Sequence, residues 1–232
     1  MKLGLLGYPL NHSLSPELYR KLLGSQLTSY ELFSFEEDHL IPPLSFFGQR
    51  LDGLNITSPY KRHFVHEIEI PSALVKSLGA VNTLAFISGK TFGTNTDLLA
   101  IVEILTNYLQ NHSSLHILLL GDGVMARVIE LAAHDLGISV RQFSRKLTPH
   151  FEQLDLRPFH QSESQTLVIN ACSRQYVFNG LTHGDEIFWD LNYAFIPHQN
   201  TLPSRVNSYH DGREMLELQA RAALKFWAQY KA

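Results

Sequence analysis

The apolar positions of this chain follow strand and helix spacing by turns. Lys2 to Gly7 is a short apolar run that predicts a strand. Ser15-Pro16-Glu17 then reads as a helix N-cap followed by proline at the first helical position, with Leu18, Tyr19 and Leu22 as the apolar face. Arg50 to Thr57 predicts a second strand, Ser72 to Leu78 a short helix, and Ala80 to Phe86 a third strand, with a turn at Ser88-Gly89 before Thr91 to Thr94. Beyond them Leu98, Ile101, Val102, Leu105 and Leu109 recur at helical spacing. A helix joining two domains is expected there, with a boundary near Asp97.

The second half carries a different signature. His116 to Leu120 is apolar without interruption, as in a strand buried on both faces, and Val124, Val128, Ala132 and Leu136 fall four apart along one helical stripe. Short strands are expected at Ser139 to Phe143, Thr166 to Asn170, Ile187 to Asn192 and Val206 to His210, an alternation that predicts a doubly wound α/β unit. Arg213 to Tyr230 closes the chain as an amphipathic helix on which Gln219 shares a face with Met215, Ala222 and Phe226. An amide therefore sits on an otherwise apolar stripe.

Composition narrows the function classes. A length of 232 residues allows one large domain or two modest ones, and 44% hydrophobic content suits a soluble globular chain. A formal charge of −3, a pI near 6.4 and no cluster of four or more Lys/Arg give no basic field for nucleic acid, so small molecules are the expected partners. The apolar start is interrupted by Pro9, Asn11 and His12 before it reaches signal or membrane length. No membrane partner and a cytoplasmic location are therefore expected. Cys172, the single cysteine, excludes an internal disulfide and fits a reducing compartment. None of the 12 histidines falls in an HExxH pattern, and the His63/His66 pair has no evident third ligand nearby. The histidines are expected to be structural or solvated, and no metal is expected.

Two stretches carry candidate chemistry. Gly53-Leu54-Asn55-Ile56-Thr57-Ser58-Pro59-Tyr60-Lys61 and Gly93-Thr94-Asn95-Thr96-Asp97 each join a β-prone run to a turn, where a sheet presents side chains to a ligand. Lysine beside a carboxylate suits proton transfer to an oxygen, although Lys61 and Asp97 taken alone also read as a surface ion pair. Farther on, Gly121-x-Gly123-x-x-Ala126 follows the buried strand and opens a helix, the setting that gives a GxGxxG-type match weight. The first glycine permits the tight turn, the second lets backbone approach a pyrophosphate, and a small third residue allows close helix–strand packing. A plain strand-turn-helix is the alternative. After the next strand Arg141-Gln142-Phe143-Ser144-Arg145-Lys146 holds no acid for a ribose hydroxyl. Its cations favour a 2′-phosphate and hence NADP, with solvated surface cations as the alternative.

Taken in order, these pieces resemble the shikimate dehydrogenase family from end to end. Asn11-His12-Ser13-Leu14-Ser15-Pro16 is similar to the family's His-Ser-x-Ser-Pro element, and Asn55-Ile56-Thr57-Ser58-Pro59-Tyr60-Lys61 to its Asn-Val-Thr-x-Pro-x-Lys. Gly79-Ala80-Val81-Asn82-Thr83, Asn95-Thr96-Asp97, and Asp211-Gly212 leading to Met215-Leu216 and Gln219-Ala220 resemble three further motifs, and Asp190-Leu191-Asn192-Tyr193 a shorter Asp-x-x-Tyr segment.

The resemblance implies an N-terminal α/β substrate domain, residues 1–98 with 213–232, and an NADP-binding Rossmann domain, residues 99–212. The C-terminal helix would pack back on the substrate domain, with substrate in the cleft. By similarity Ser13 and Ser15 would hold the shikimate carboxylate, with Thr57, Asn82, Asp97, Tyr193 and Gln219 around the ring, and Lys61 and Asp97 as the catalytic pair. Gly121, Gly123, Val124, Ala126, Ser144, Arg145, Lys146 and Cys172 would form the cofactor set. The implied reaction is reversible NADPH-dependent reduction of 3-dehydroshikimate in aromatic amino acid biosynthesis, by a monomer or homodimer. A free lysine side chain is neutral only about once in 2,500 at pH 7, so the reverse oxidation is expected to quicken as pH rises.

Four departures stand out. The family commonly continues the aspartate motif as Asp-Gly-x-Gly, and this chain reads Asp97-Leu98-Leu99-Ala100. Arg174-Gln175-Tyr176 stands where a Gly-Met borders the nicotinamide in the family, and Ser144-Arg145-Lys146 replaces Asn-Arg-Thr. The stretch from Lys146 to Thr166 is short for a helical crossover. A relative acting on quinate or another ring acid, and a ligand-binding protein with weakened hydride transfer, remain the competing readings.

Overall fold

The computed structural model describes residues 1–11 and 13–230, so His12 of the first motif lies outside the described residues. The chain forms two compact units, Met1–Leu99 with Leu216–Ala232 (unit 1), and Ala100–Met215 (unit 2).

Unit 1 is built on a five-stranded mixed sheet. Its strands are β1 (Lys2–Gly7), β2 (Ser29–Ser34), β3 (Gly53–Ile56), β4 (Thr83–Ile87) and β5 (Lys90–Thr94), in the order β2-β1-β3-β4-β5. β1 pairs parallel with β2 and β3, and the last two pairings are antiparallel. The uninterrupted apolar run of β1 follows from that placement, since Leu3, Leu5 and Leu6 are all buried between neighbours. β2, Ser-Tyr-Glu-Leu-Phe-Ser, lies at the sheet edge and is half-buried to exposed, which is why its periodicity does not predict a strand. The strand expected from Arg50 begins only at Gly53, and that expected from Ala80 only at Thr83.

Helix α1 (Ser15–Leu23) corrects one expectation. Ser15 is the first helical residue, Leu14 takes the cap position, and no side chain caps the helix. Instead the Ser13 Oγ accepts from the Ser15 amide at 3.3 Å, and Pro16 is accommodated because amides of the first turn need no intrahelical acceptor. After α1 come α2 (Leu44–Gly48), α3 (Ala73–Leu78) and α4 (Thr96–Asn111). Ser72 does cap α3, its side chain accepting from the Val75 amide.

The last helix, Arg213–Gln229, packs on the unit 1 sheet. Ala220, Ala223, Phe226 and Trp227 meet Leu3, Tyr19 and Ala85 in one apolar cluster. Trp227 Nε1 donates to the Leu84 carbonyl at 2.8 Å. Gly53 lies beneath the indole, where a Cβ would stand 2.3 Å from Nε1.

Unit 2 holds a wholly parallel sheet of β6 (Leu115–Leu120), β7 (Ser139–Phe143), β8 (Gln165–Asn170), β9 (Ile187–Asp190) and β10 (Ser208–His210), ordered β10-β9-β8-β6-β7. β9 ends two residues short of Asn192, and β10 starts two residues beyond Val206. Helix α5 (Val124–Asp135) joins β6 to β7, and α6 (Ile196–Thr201) lies between β9 and β10. The crossover from β7 to β8 contains no α-helix, only single 3₁₀ turns at Phe151–Gln153 and Arg157–Phe159. The chain leaves β6 to pair on one side and returns to pair on the other, so the carboxyl ends of β6 and β8 flank a topological switch point. Among the described residues no helix is long and apolar enough to cross a membrane.

Candidate active site

Lys61 lies on the turn beyond β3. The Thr57 amide donates to the Leu6 carbonyl, the Tyr60 amide to Thr57, and the Val81 amide to the Lys61 carbonyl, fixing the lysine backbone against the entry to β4. Asp97 is the second residue of α4. Asn95 caps that helix, its Oδ1 accepting from the Leu98 amide and its Nδ2 donating to the Ala80 carbonyl, both at 3.0 Å. A carboxylate in a first helical turn is favoured by the positive end of the helix dipole. There Lys61 Nζ donates to Asp97 Oδ2 at 2.8 Å, with the two side chains only 9% and 10% exposed. The surface-pair reading is thereby removed. A pair this enclosed has lost most of its hydration and is weak evidence for stability.

A polar network runs beside the pair. Asn82 Oδ1 accepts from the Thr96 amide at 2.7 Å, and the Thr83 and Thr96 hydroxyls each lie 3.1 Å from the same oxygen. Thr96 Oγ1 also lies 3.4 Å from Gln219 Oε1, so the amide on the apolar stripe of the last helix reaches the start of α4. Asn55 Nδ2 donates to the Asn82 carbonyl and to Thr83 Oγ1 at 3.3 and 3.1 Å. The Tyr30 hydroxyl reaches Asn55 Oδ1 at 3.5 Å, and burial pushes this phenol above its ordinary range, with Ser15 partly opposing the shift. Of the expected residues, Lys61 is joined to Asp97, Asn82 to Gln219 through Thr96, and Ser13 to Ser15. Asn55, Asn95 and Thr96 take part without having been expected to. The signal for Asn55 is an amide inside a strand whose four residues are all buried.

In unit 2 the glycine turn takes the expected shape. Gly121 has φ +116°, and a Cβ there would press on the Ala171 carbonyl carbon and oxygen at 3.1 and 3.2 Å, so the turns after β6 and β8 approach as only glycine allows. Beyond Gly123, by contrast, a Cβ would meet nothing within 4 Å. Ala126 is fully buried on α5, whose first intrahelical bond runs from the Arg127 amide to the Gly123 carbonyl. Ser144 is buried and its Oγ accepts from the Lys146 amide, so this hydroxyl shapes the turn. Arg145 and Lys146 are exposed and pair with Glu152 and Asp122 at 3.4 and 3.0 Å. Such exposed pairs are worth less than about 1 kcal/mol and yield readily to a stronger anion. Burial pushes the Cys172 thiol up to about 12, against a smaller opposing effect of Arg145.

Tyr193 follows a buried anchor. Asp190 accepts from Asn170 Nδ2 and from the Asn192 amide and Nδ2, each at 3.0 Å, and contacts His198 Nδ1 at 2.5 Å. The Phe178 amide donates to His198 Nε2, so Nδ1 carries the proton given to Asp190. Arg174 donates to the Tyr193 and Ala194 carbonyls at 2.8 and 3.2 Å. A groove of about 840 Å³ elsewhere in unit 1, lined by Leu44, Gly48, Ile68, Phe86 and Thr91, contains none of the expected site residues.

Residues 5–84 match the family model described as the shikimate dehydrogenase substrate binding domain. The shikimate dehydrogenase (NADP(+)) of Staphylococcus aureus is 35% identical over an alignment covering 100% of this chain and 94% of that protein. The chain belongs to the shikimate dehydrogenase family.

Within that family, the Clostridium perfringens shikimate dehydrogenase (NADP(+)) is 36% identical over 56% of this chain, and the match spans about half of the relative's length, 49%. Solved shikimate dehydrogenases share the fold. That of Aquifex aeolicus superposes with a TM-score of 0.78 at 23% identity, covering 100% of this chain and 94% of the other. The Thermus thermophilus enzyme, solved in complex with NADP(H) and shikimate, gives 0.73 at 22%, covering 99% and 94%. Against the shikimate dehydrogenase pattern, the two missing glycines after Asp97 are replaced by Leu98 and Ala100, both buried, while Leu99 between them is half exposed. Arg174, in place of the family's Gly-Met, is bound into the turn that carries Tyr193.

Proposed function

We propose that this chain is an NADP-dependent shikimate dehydrogenase that interconverts 3-dehydroshikimate and shikimate. The observation that carries the reading is the enclosed Lys61–Asp97 pair at 2.8 Å. During reduction a ketone oxygen gains negative charge, and an ammonium held beside it stabilises that charge and delivers a proton. Lys61 Nζ is the proton donor, Asp97 aims it, and in the reverse direction the lysine accepts the hydroxyl proton. Ser13 and Ser15 hold the substrate carboxylate, and Thr57, Asn82, Tyr193 and Gln219 meet the ring and its hydroxyls. The network around Asn82 supports this, because a polyhydroxylated acid is discriminated by polar groups already fixed in place.

Unit 1 corresponds to the substrate domain and unit 2 to the dinucleotide domain, near the proposed ranges 1–98 with 213–232 and 99–212. The open space over Gly123 at the start of α5 fits a pyrophosphate. Gly121, Val124 and Ala126 shape that turn, Arg145 and Lys146 would meet a 2′-phosphate, and Ser144 and Cys172 border the two strand ends. NADPH supplies the hydride when bound. The reading includes a cytoplasmic location, small-molecule partners only, and action as a monomer or homodimer.

A second reading, a ring-acid binding protein with weakened hydride transfer, draws on Arg174, whose clamp on the 193–194 turn replaces two small or flexible residues. One assay separates the two. NADPH absorbance is followed with shikimate, with quinate and with no substrate at roughly pH 7 and 9, beside a shikimate titration on the same sample. Shikimate-dependent turnover supports the enzyme, binding without turnover supports the second reading, and turnover on quinate alone reassigns the substrate.

A further inference from the structure

His160, His183 and Asp185 come together in unit 2, a cluster the expectation of structural or solvated histidines did not single out. One ligand atom from each lies within 4.8 Å of the others. His160 Nδ1 is 3.3 Å and His183 Nδ1 3.1 Å from the same oxygen, Asp185 Oδ1. Two ligand atoms bound tetrahedrally to a zinc-sized ion stand about 3.3 Å apart, twice a bond of about 2.05 Å times the sine of half the tetrahedral angle. We propose that these three residues form a site for a divalent transition metal ion of the zinc class.

Two further observations point the same way. His160 Nδ1 is buried and makes no hydrogen bond, although it lies near the carboxylate. Buried ring nitrogens are normally satisfied, and a metal ion would satisfy this one. The turn bearing the other two ligands is also fixed in advance. Glu186, itself buried, accepts from the His183 and Gly184 amides at 2.7 and 2.8 Å, and Gln165 Nε2 donates to the Asp185 carbonyl at 3.1 Å. His160 follows a 3₁₀ turn closed by its own amide on the Arg157 carbonyl.

The imidazoles are stacked, with centroids 4.0 Å apart and planes 3° from parallel. One ion cannot lie in both planes, so binding requires one ring to turn. His183 is the ring placed to do so, being half exposed whereas His160 is largely covered, and its turn exchanges the present hydrogen bond to Asp185 for a shared ion. Three protein ligands leave a fourth position for water, and nitrogen with carboxylate oxygen suits zinc, cobalt or nickel better than calcium or magnesium.

The test uses the whole chain after chelator treatment, titrated with Zn²⁺ by calorimetry and with Co²⁺ by visible absorption. One equivalent of Zn²⁺ with proton release, and Co²⁺ d–d bands of a nitrogen–oxygen site, are expected. His183→Ala and Asp185→Asn change exposed side chains and should each weaken Zn²⁺ binding about tenfold or more, while His63→Ala leaves it unchanged. No stoichiometric binding, wild-type affinity in both ligand variants, or loss in His63→Ala would overturn the assignment.

Discussion

Asn82 Oδ1 accepts from the Thr96 amide at 2.7 Å, so the residue preceding β4 holds the residue beside Asp97. The carboxylate of the proposed pair thus takes its position from a buried amide on another element. Replacing Asn82 by Ala would strand the Thr96 amide, at a cost on the order of 1–3 kcal/mol. Asn82→Ala should therefore lower the urea midpoint and raise the shikimate KM together. A variant unchanged in both would remove Asn82 from the positioning of Asp97.

The indole of Trp227 tests how the C-terminal helix is held. Trp227→Phe keeps an aromatic ring but removes the indole's hydrogen bond to the Leu84 carbonyl, which stays paired in the sheet, so the loss should be about 0.5–1.5 kcal/mol. Gly53→Ala should destabilise by a different route, because its new methyl would overlap Nε1. Equilibrium denaturation of both variants measures this. Wild-type stability in Gly53→Ala would mean the helix packs less tightly on the sheet than described.

These two contacts also show what could be read in advance. β1 and β6 were legible because strands with neighbours on both sides are apolar throughout. β2 was not, because an edge strand needs no such pattern. The short β7–β8 connection was visible from length alone, while its 3₁₀ turns were not. Lys61 and Asp97 stood out because each closes a β-prone run at a turn, and the family resemblance made them a pair, since periodicity says nothing about which turns meet in space. Ser15 was misread as a cap because an N-cap and a first helical residue before proline look alike in sequence. His160 and His183, far apart along the chain, gave no spacing to notice.

His116, on β6, makes unit 2 sensitive to acid. Burial lowers its pKa from the usual histidine value, and Arg141 adds to the shift. The unfolded chain therefore takes up this proton before the folded chain does. The contribution is fully present above the unfolded pKa, near 6.5, and is lost as pH falls below it until the folded pKa is passed. The Tm should fall between about pH 7 and 5, and His116→Gln should flatten that fall. Identical slopes for the two proteins would contradict the assignment.

Cys172 should be inert. With its thiol pushed up to about 12 by burial, the thiolate is scarce at pH 8. Iodoacetamide should label it on the order of a thousandfold more slowly than free cysteine. Labelling at a comparable rate would show the turn after β8 to be open.

The central claim is that Lys61 moves the proton. Lys61→Ala, with its fold verified by circular dichroism, is compared with wild type for shikimate oxidation across roughly pH 7 to 10. The account predicts a wild-type rate that climbs with pH, and a variant kcat lower by about 10²–10⁴ with a smaller change in shikimate binding. An unchanged kcat in the folded variant would contradict it.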